Sequence, residues 1–182
     1  MALDTVKEAL PAYARDLKLN LSGLANASPL TDQQLWGAVV AAAVASPPGA
    51  ACAELVEEGR SRLSEGAFTA AKAAAAVMAM NNVYYRAKHL LEDAGAGGYS
   101  DIPARLRMNV IATREGVGKA DFELWCFVAS AVNGCGSCLA AHERELRSAG
   151  MSPTQIHEGV RVAAVVHAAC ATLAAEEALF PA

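Results

Sequence analysis

The sequence is short of aromatic residues, of β-branched runs and of surplus positive charge. Phe, Trp and Tyr make up 5% of its 182 residues. Stretches of Val, Ile and Thr alternating with polar residues, the mark of half-buried strands, are nearly absent. A sandwich or a parallel sheet is therefore not expected. The formal net charge is −4, with 15 Lys and Arg against 19 Asp and Glu. That balance gives no basic footprint for nucleic acid. Met1-Ala2-Leu3-Asp4 lacks a basic segment followed by an apolar one, so no signal peptide is read. The apolar stretch 33–53 is broken by Pro47-Pro48, and 73–85 is shorter than the roughly 20 residues that cross a bilayer. A soluble, cytoplasmic protein with no membrane or nucleic-acid partner is the expectation.

Five cysteines, at 52, 126, 135, 138 and 170, are odd in number and unevenly spread. A secreted disulfide framework is patterned differently. Cys52, Cys126 and Cys170 read as small apolar core residues. His89, His157 and His167 read as surface or core histidines.

What the sequence does have is alanine and helix punctuation. The hydrophobic fraction is 54%, dominated by alanine, which suits closely packed helices. Asp4 can cap a first helix running toward Leu17. Thr31-Asp32-Gln33-Gln34 and Ser152-Pro153-Thr154-Gln155 fit capping boxes. Further helices are expected over 33–46, 50–62, 65–92, 104–113 and 121–132, and from the Cys135–Cys138 segment to about Gly150. The last should run from 153 to about 179. Gly95 to Ser100 reads as a flexible connector. The fold class is all-α, in one domain spanning 1–182.

Asp32-Gln33-Gln34-Leu35-Trp36 recurs 89 residues later as Asp121-Phe122-Glu123-Leu124-Trp125. At the same offset Ala73–Val77 faces Val162–Val166, and Met78 faces His167. Two related helical halves are expected, an inert one over about 1–98 and a chemically equipped one over about 99–182. Gln34 stands where Glu123 stands, and Ser46 where Cys135 stands.

The chemistry gathers in Asn133-Gly134-Cys135-Gly136-Ser137-Cys138-Leu139-Ala140-Ala141-His142-Glu143. A thiol attacks as its thiolate. A helix beginning here would stabilise that anion through its unpaired N–H groups and macrodipole. Cys138 and His142 are four residues apart and share a helix face, so the imidazole can take the thiol proton. The spacing of Cys135 and Cys138 also lets them cycle between dithiol and disulfide. Glu123 sits among large apolar residues and needs a partner. It is either the third member of a Glu123–His142–Cys138 relay or merely an acid at a helix start. A zinc site is the competing reading. Cys135, Cys138 and His142 would then need Cys170, His167 or Glu123 as a fourth ligand.

These motifs resemble the alkyl hydroperoxidase D family of the carboxymuconolactone decarboxylase-like superfamily. Leu10-Pro11-x-Tyr13-Ala14-x-Asp16-x-Lys18-Leu19-Asn20-Leu21, Leu35-Trp36-Gly37, Met80–Arg86 and Leu106–Asn109 extend the resemblance along nearly the whole chain. It implies an all-helical homotrimer acting as a thiol-dependent peroxidase and disulfide reductase, with no bound cofactor. It implies electrons drawn from the lipoyl group of an acyltransferase, kept reduced by dihydrolipoamide dehydrogenase, and passed to a peroxiredoxin, alkyl hydroperoxidase C. By the same resemblance Cys138 is the buried peroxide-reacting thiol and Cys135 the more exposed, exchanging one. Glu123 and His142 form the proton relay. One departure stands out: family members carry a histidine just before the second cysteine, where this chain has Ser137. The alternatives are a carboxymuconolactone decarboxylase, which needs no dithiol, and a zinc-binding helical module.

Overall fold

A computed structural model describes residues 2–26, 28–99, 101–112 and 116–180. Among them are eight α-helices and no strand: α1 (Ala2–Ala9), α2 (Arg15–Asn26), α3 (Asp32–Val44), α4 (Ala50–Arg62), α5 (Glu65–Asp93), α6 (Lys119–Val132), α7 (Gly136–Ser148) and α8 (Pro153–Leu179). The expected all-α class is what the chain adopts.

The helix starts follow their caps. Thr31 Oγ1 accepts from Gln34 N at 3.2 Å, and Gln34 Oε1 accepts from Thr31 N at 3.1 Å. Ser152 and Gln155 repeat the arrangement at α8, with Pro153 in the first helical position. Ser64 Oγ caps α5 through Ala67 N at 3.2 Å.

Two expected helices are corrected. The first does not reach Leu17. Pro11 lacks an N–H and disfavours helix at the residue before it, so α1 ends at Ala9 and α2 starts afresh at Arg15 after a 3-10 turn over Ala12–Ala14. Asp4 lies inside α1 and pairs with Lys7 at 2.6 Å instead of capping. The helix expected over 104–113 is not formed. Only a 3-10 turn over Asn109–Ala112 appears there, and Thr113 lies outside the described residues. Arg105 at φ +52° takes the left-handed region, which an α-helix does not admit.

At the centre, α3 and α6 pack on each other with nearly every side buried. Gly37 makes this approach possible: a Cβ there would lie 2.1 Å from the Trp125 ring. Around the pair the packing is twofold in pattern. α4 lies on α3 as α7 lies on α6, and α5 on α6 as α8 on α3. α8 is long and apolar enough to cross a bilayer by length and composition. Its buried residues, from Ile156 to Leu173, face the protein core, with α3 and α6 as the main neighbours. α1 adds to α4, and α2 to α8.

The sequence suggests one constant offset between the halves, but the structure shows two. Leu35 and Trp36 of α3 match Leu124 and Trp125 of α6 at 89. The buried positions of α5 (68, 70, 71, 74, 75, 77, 78, 81, 82) recur in α8 at 156, 158, 159, 162, 163, 165, 166, 169 and 170, a spacing of 88. Met78 is thus matched by Val166 and not by His167. Identity among alanines is blind to a one-residue slip, whereas burial, which rotates 100° per residue, is not.

Candidate active site

Asn133 closes α6, and Gly134 follows at φ +66°, where a Cβ would be strained. The chain turns and opens α7 with Cys135 at its N-cap. Cys135 N donates to Ser130 O at 3.1 Å, and Cys135 O accepts from Leu139 N at 2.9 Å. Two side chains and one backbone carbonyl of α5 brace this corner. Asn82 Nδ2 donates to Ser130 Oγ at 2.9 Å, and Asn82 Oδ1 accepts from Asn133 Nδ2 at 3.0 Å. The Arg86 guanidinium donates to the Asn133 carbonyl. Tyr85 O accepts from Ser137 Oγ at 3.4 Å.

Cys135 and Cys138 are joined as a disulfide, with Cα atoms 5.3 Å apart. Their burial runs opposite to the family-based expectation. Cys135 is 0% exposed and Cys138 7%. The reason is local: Cys135 sits beneath the α6–α7 corner, whereas Cys138, in the first turn of α7, borders an open cavity. Ser137 puts its hydroxyl 3.6 Å from Cys135 Sγ.

That cavity is about 250 Å³ and is lined by Met78, Asn81, Tyr85, Met108, Ser137, Cys138, Ala141 and His142. Its walls are largely apolar. His142 follows Cys138 by one turn and turns its Nδ1 to Glu123 Oε2 at 2.7 Å. Both side chains are largely buried, 17% and 14% exposed. Of the two readings of Glu123, the pairing with His142 is the one found. With Nδ1–H donated to the carboxylate, Nε2 is the nitrogen left to exchange a proton. It faces Met78 Sδ at 3.3 Å.

Four residues of the cavity wall, Met78, Asn81, Tyr85 and Met108, escape sequence reasoning as site residues. They come from α5 and the segment before α6, 27 or more residues from the cysteines, and no local spacing connects them. A trace exists in Asn81-Asn82, two adjacent amides within an apolar helix. Asn82 makes the brace described above. Asn81 Nδ2 donates to Met108 Sδ at 3.0 Å, while Asn81 Oδ1, buried at the cavity, has no hydrogen-bond partner among the described residues.

Of the three fourth ligands considered for zinc, Glu123 pairs with His142, and the other two are engaged elsewhere. Cys170 is bonded to Cys52, and His167 Nδ1 meets Ser46 Oγ at 3.2 Å. Among the described residues no three His, Cys, Asp or Glu side chains are placed to hold a metal ion. The Cys52–Cys170 bond also corrects the reading of both as lone core cysteines. Their Cα atoms lie 5.6 Å apart across the contact of α4 with α8, within ordinary disulfide range. Cys126 is buried in α6, as expected.

Sequence comparison relates the chain to known proteins. The alkyl hydroperoxide reductase AhpD of Gluconacetobacter diazotrophicus is 54% identical over 179 residues, covering 98% of this chain and 96% of that one. The chain belongs to the alkyl hydroperoxide reductase AhpD family. The AhpD of Streptomyces coelicolor is 52% identical over 98% of both chains, and that of Mycolicibacterium smegmatis 52% identical over 91% of both. The model of the carboxymuconolactone decarboxylase family matches residues 98–180, the half that carries Cys135 and Cys138. Membership in the AhpD family covers both halves, including the α5 wall of the cavity.

Proposed function

We propose that this protein is a thiol-dependent hydroperoxide reductase that works through a Cys135–Cys138 dithiol–disulfide cycle. The observation that carries the reading is the shared cavity of Cys138 and His142, with Glu123 seated on the far nitrogen of that histidine. In the reduced enzyme, His142 Nε2 takes the Cys138 proton. The thiolate attacks the outer oxygen of the hydroperoxide, and the O–O bond breaks. Cys138 becomes a sulfenic acid, and the alkoxide leaves as alcohol after receiving a proton from His142. The Cys135 thiol then attacks the Cys138 sulfur, forming the disulfide and releasing water. Glu123 acts through His142 as a positioning residue, holding the ring with Nε2 toward the cavity.

The first turn of α7 supports the thiolate with its unpaired N–H groups. An apolar cavity of this size suits an organic hydroperoxide. Asn81 Oδ1 offers the acceptor for its O–H. A dithiol donor restores the enzyme by exchange: it becomes a disulfide while Cys135 and Cys138 become thiols. The lipoyl group of an acyltransferase, kept reduced by dihydrolipoamide dehydrogenase, fits that role. A peroxiredoxin disulfide is the matching acceptor for the onward electrons. Because Cys138 borders the cavity and Cys135 is covered, we assign the donor's first attack to Cys138. We further propose a soluble, cytoplasmic homotrimer with no resident cofactor.

The test is reconstitution with a lipoyl donor, dihydrolipoamide dehydrogenase and NADH, using an organic hydroperoxide as oxidant. Steady NADH loss that requires both cysteines supports the cycle. Turnover that persists in Cys135→Ser would contradict it. A mixed disulfide with the lipoyl group that forms on Cys135 in preference to Cys138 would overturn the order of attack.

A further inference from the structure

We infer that Cys52 and Cys170 form a second redox site, a cross-link between the first half and the terminal helix that closes under hydroperoxide. The inference stands apart from the proposed activity. It rests on a seam between the start of α4 and the C-terminal half of α8. His167, Cys170, Ala174 and Glu177 lie along one face of α8 at helical spacing. His167 Nδ1 meets Ser46 Oγ at 3.2 Å, Cys170 is bonded to Cys52, and Glu177 accepts from Ala50 N at 3.2 Å. Polar contacts therefore hold the two segments in register on both sides of the sulfurs, and the Cα separation of 5.6 Å needs no backbone movement for bonding.

The two cysteine pairs are similar in one respect and different in another. Cys52 is the third residue of α4, as Cys138 is the third residue of α7. Both are 7% exposed, each with a fully or almost fully buried partner. Around Cys52, however, the sulfur lies 3.1 Å from the Pro47 carbonyl oxygen, and the Glu177 carboxylate already occupies the N-terminus of α4. Both contacts set electron-rich oxygen where a nucleophilic sulfur would act. The second pair should therefore react more slowly than the first.

The chemistry needs only the hydroperoxide. Cys52 sulfur attacks the peroxide oxygen, the O–O bond breaks, and Cys52 becomes a sulfenic acid as the alcohol leaves. The Cys170 thiol displaces its hydroxyl as water, closing the disulfide. Two thiols are oxidised and one hydroperoxide is reduced. The product ties positions 118 residues apart, and a loop of that length constrains the unfolded chain strongly. Sustained oxidant would thus harden the fold while the Cys135–Cys138 pair is turning over.

The experiment starts from full-length protein reduced with a phosphine, desalted and exposed to tert-butyl hydroperoxide for increasing times. Remaining thiols are alkylated and disulfide-linked peptides mapped by mass spectrometry. Expected are a Cys135–Cys138 link first and a Cys52–Cys170 link later, with a rise in Tm on the order of 10 °C accompanying the second. Cys52→Ser should abolish the second link and the rise in Tm, and leave hydroperoxide turnover unchanged. In Cys135→Ser/Cys138→Ser, the Cys52–Cys170 link should still form, which separates this site from the proposed active one. Should that variant not fold, the time course in the unaltered protein gives the same reading. Cys52 and Cys170 that stay fully alkylatable after the first pair is oxidised would overturn the inference, as would a link that leaves Tm unmoved.

Discussion

The two halves of the molecule share a scaffold and differ in what fills it. In the second half, Cys138 and His142 of α7 meet Met78, Asn81 and Tyr85 of α5 around an open cavity. The spacing of 88 between α5 and α8 matches those three with Val166, Ala169 and Leu173. The buried positions of α4 and α7 run 87 apart, so Ala51 and Leu55 stand for Cys138 and His142. All five counterparts are buried and apolar. Gln34, opposite Glu123, spends its side chain on the α3 cap and on Asp121 at 2.9 Å. The same helical crossing is thus a filled core on one side and a reaction chamber on the other. A handful of side chains makes that difference, and the packing of α3 on α6 serves both.

The comparison can be broken hardest at the sulfur. Cys138→Ser should abolish hydroperoxide turnover under saturating dithiol, with the helical fold retained by circular dichroism. Full activity in that variant would remove Cys138 from the reaction. Next comes the relay. Glu123→Gln and His142→Phe should each slow Cys138 alkylation by about 10²–10⁴-fold near neutral pH. Because the two serve one proton, the double variant should be little slower than the slower single one. Losses that multiply would show Glu123 acting independently.

The filled half should answer in stability. Leu55→Ala removes a fully buried side chain at the position matching His142. It should cost about 2–5 kcal/mol in urea unfolding and leave the rate of Cys138 alkylation in the folded protein unchanged. If Leu55→Ala slows the thiol, or His142→Phe unfolds the chain, the division of labour between the halves is wrong. The smallest effect expected is at Lys119 and Glu145, which join the start of α6 to the end of α7 at the surface. Lys119 hydrogen-bonds to Glu145 and its charge attracts the carboxylate, together holding Glu145 below the ordinary carboxylate range. A carboxyl depressed in the folded state adds stability above its unfolded pKa and loses it as pH falls through the folded one. Lys119→Ala should therefore lower Tm slightly at pH 7, by a degree or two for an exposed pair, and not at all at pH 2.

Much of this was readable in the chain because it is local. Caps at Thr31 and Ser152, the Asn133-Gly134 turn and the four-residue step from Cys138 to His142 all act within one or two helical turns. Glu123 was legible as a carboxylate in need of a partner. Its contact with His142, 19 residues away, required the α6–α7 crossing. The cavity wall on α5 and the Cys52–Cys170 bond depend on helices meeting across half the sequence, which no spacing encodes. Where local reading failed, backbone rules prevailed over pattern: Pro11 cut the first helix, and the left-handed Arg105 stands where a helix had been expected.

The position of α5 carries one more consequence. Residues 98–180 hold every sulfur and titratable group of the proposed relay, yet three of the eight residues that line the chamber, Met78, Asn81 and Tyr85, belong to α5. Severed from the first half, the motif would keep its letters and lose its room: the Cys138 sulfur would open to bulk water, His142 would lose Met78, and the Asn133 corner would lose both Asn82 and Arg86. A lone repeat could rebuild the chamber only by borrowing a long helix from a second molecule. The duplicated architecture makes that loan permanent. The half without the Cys135–Cys138 pair is in this sense a built-in partner subunit, and the cost of losing it would fall on chemistry as well as on stability.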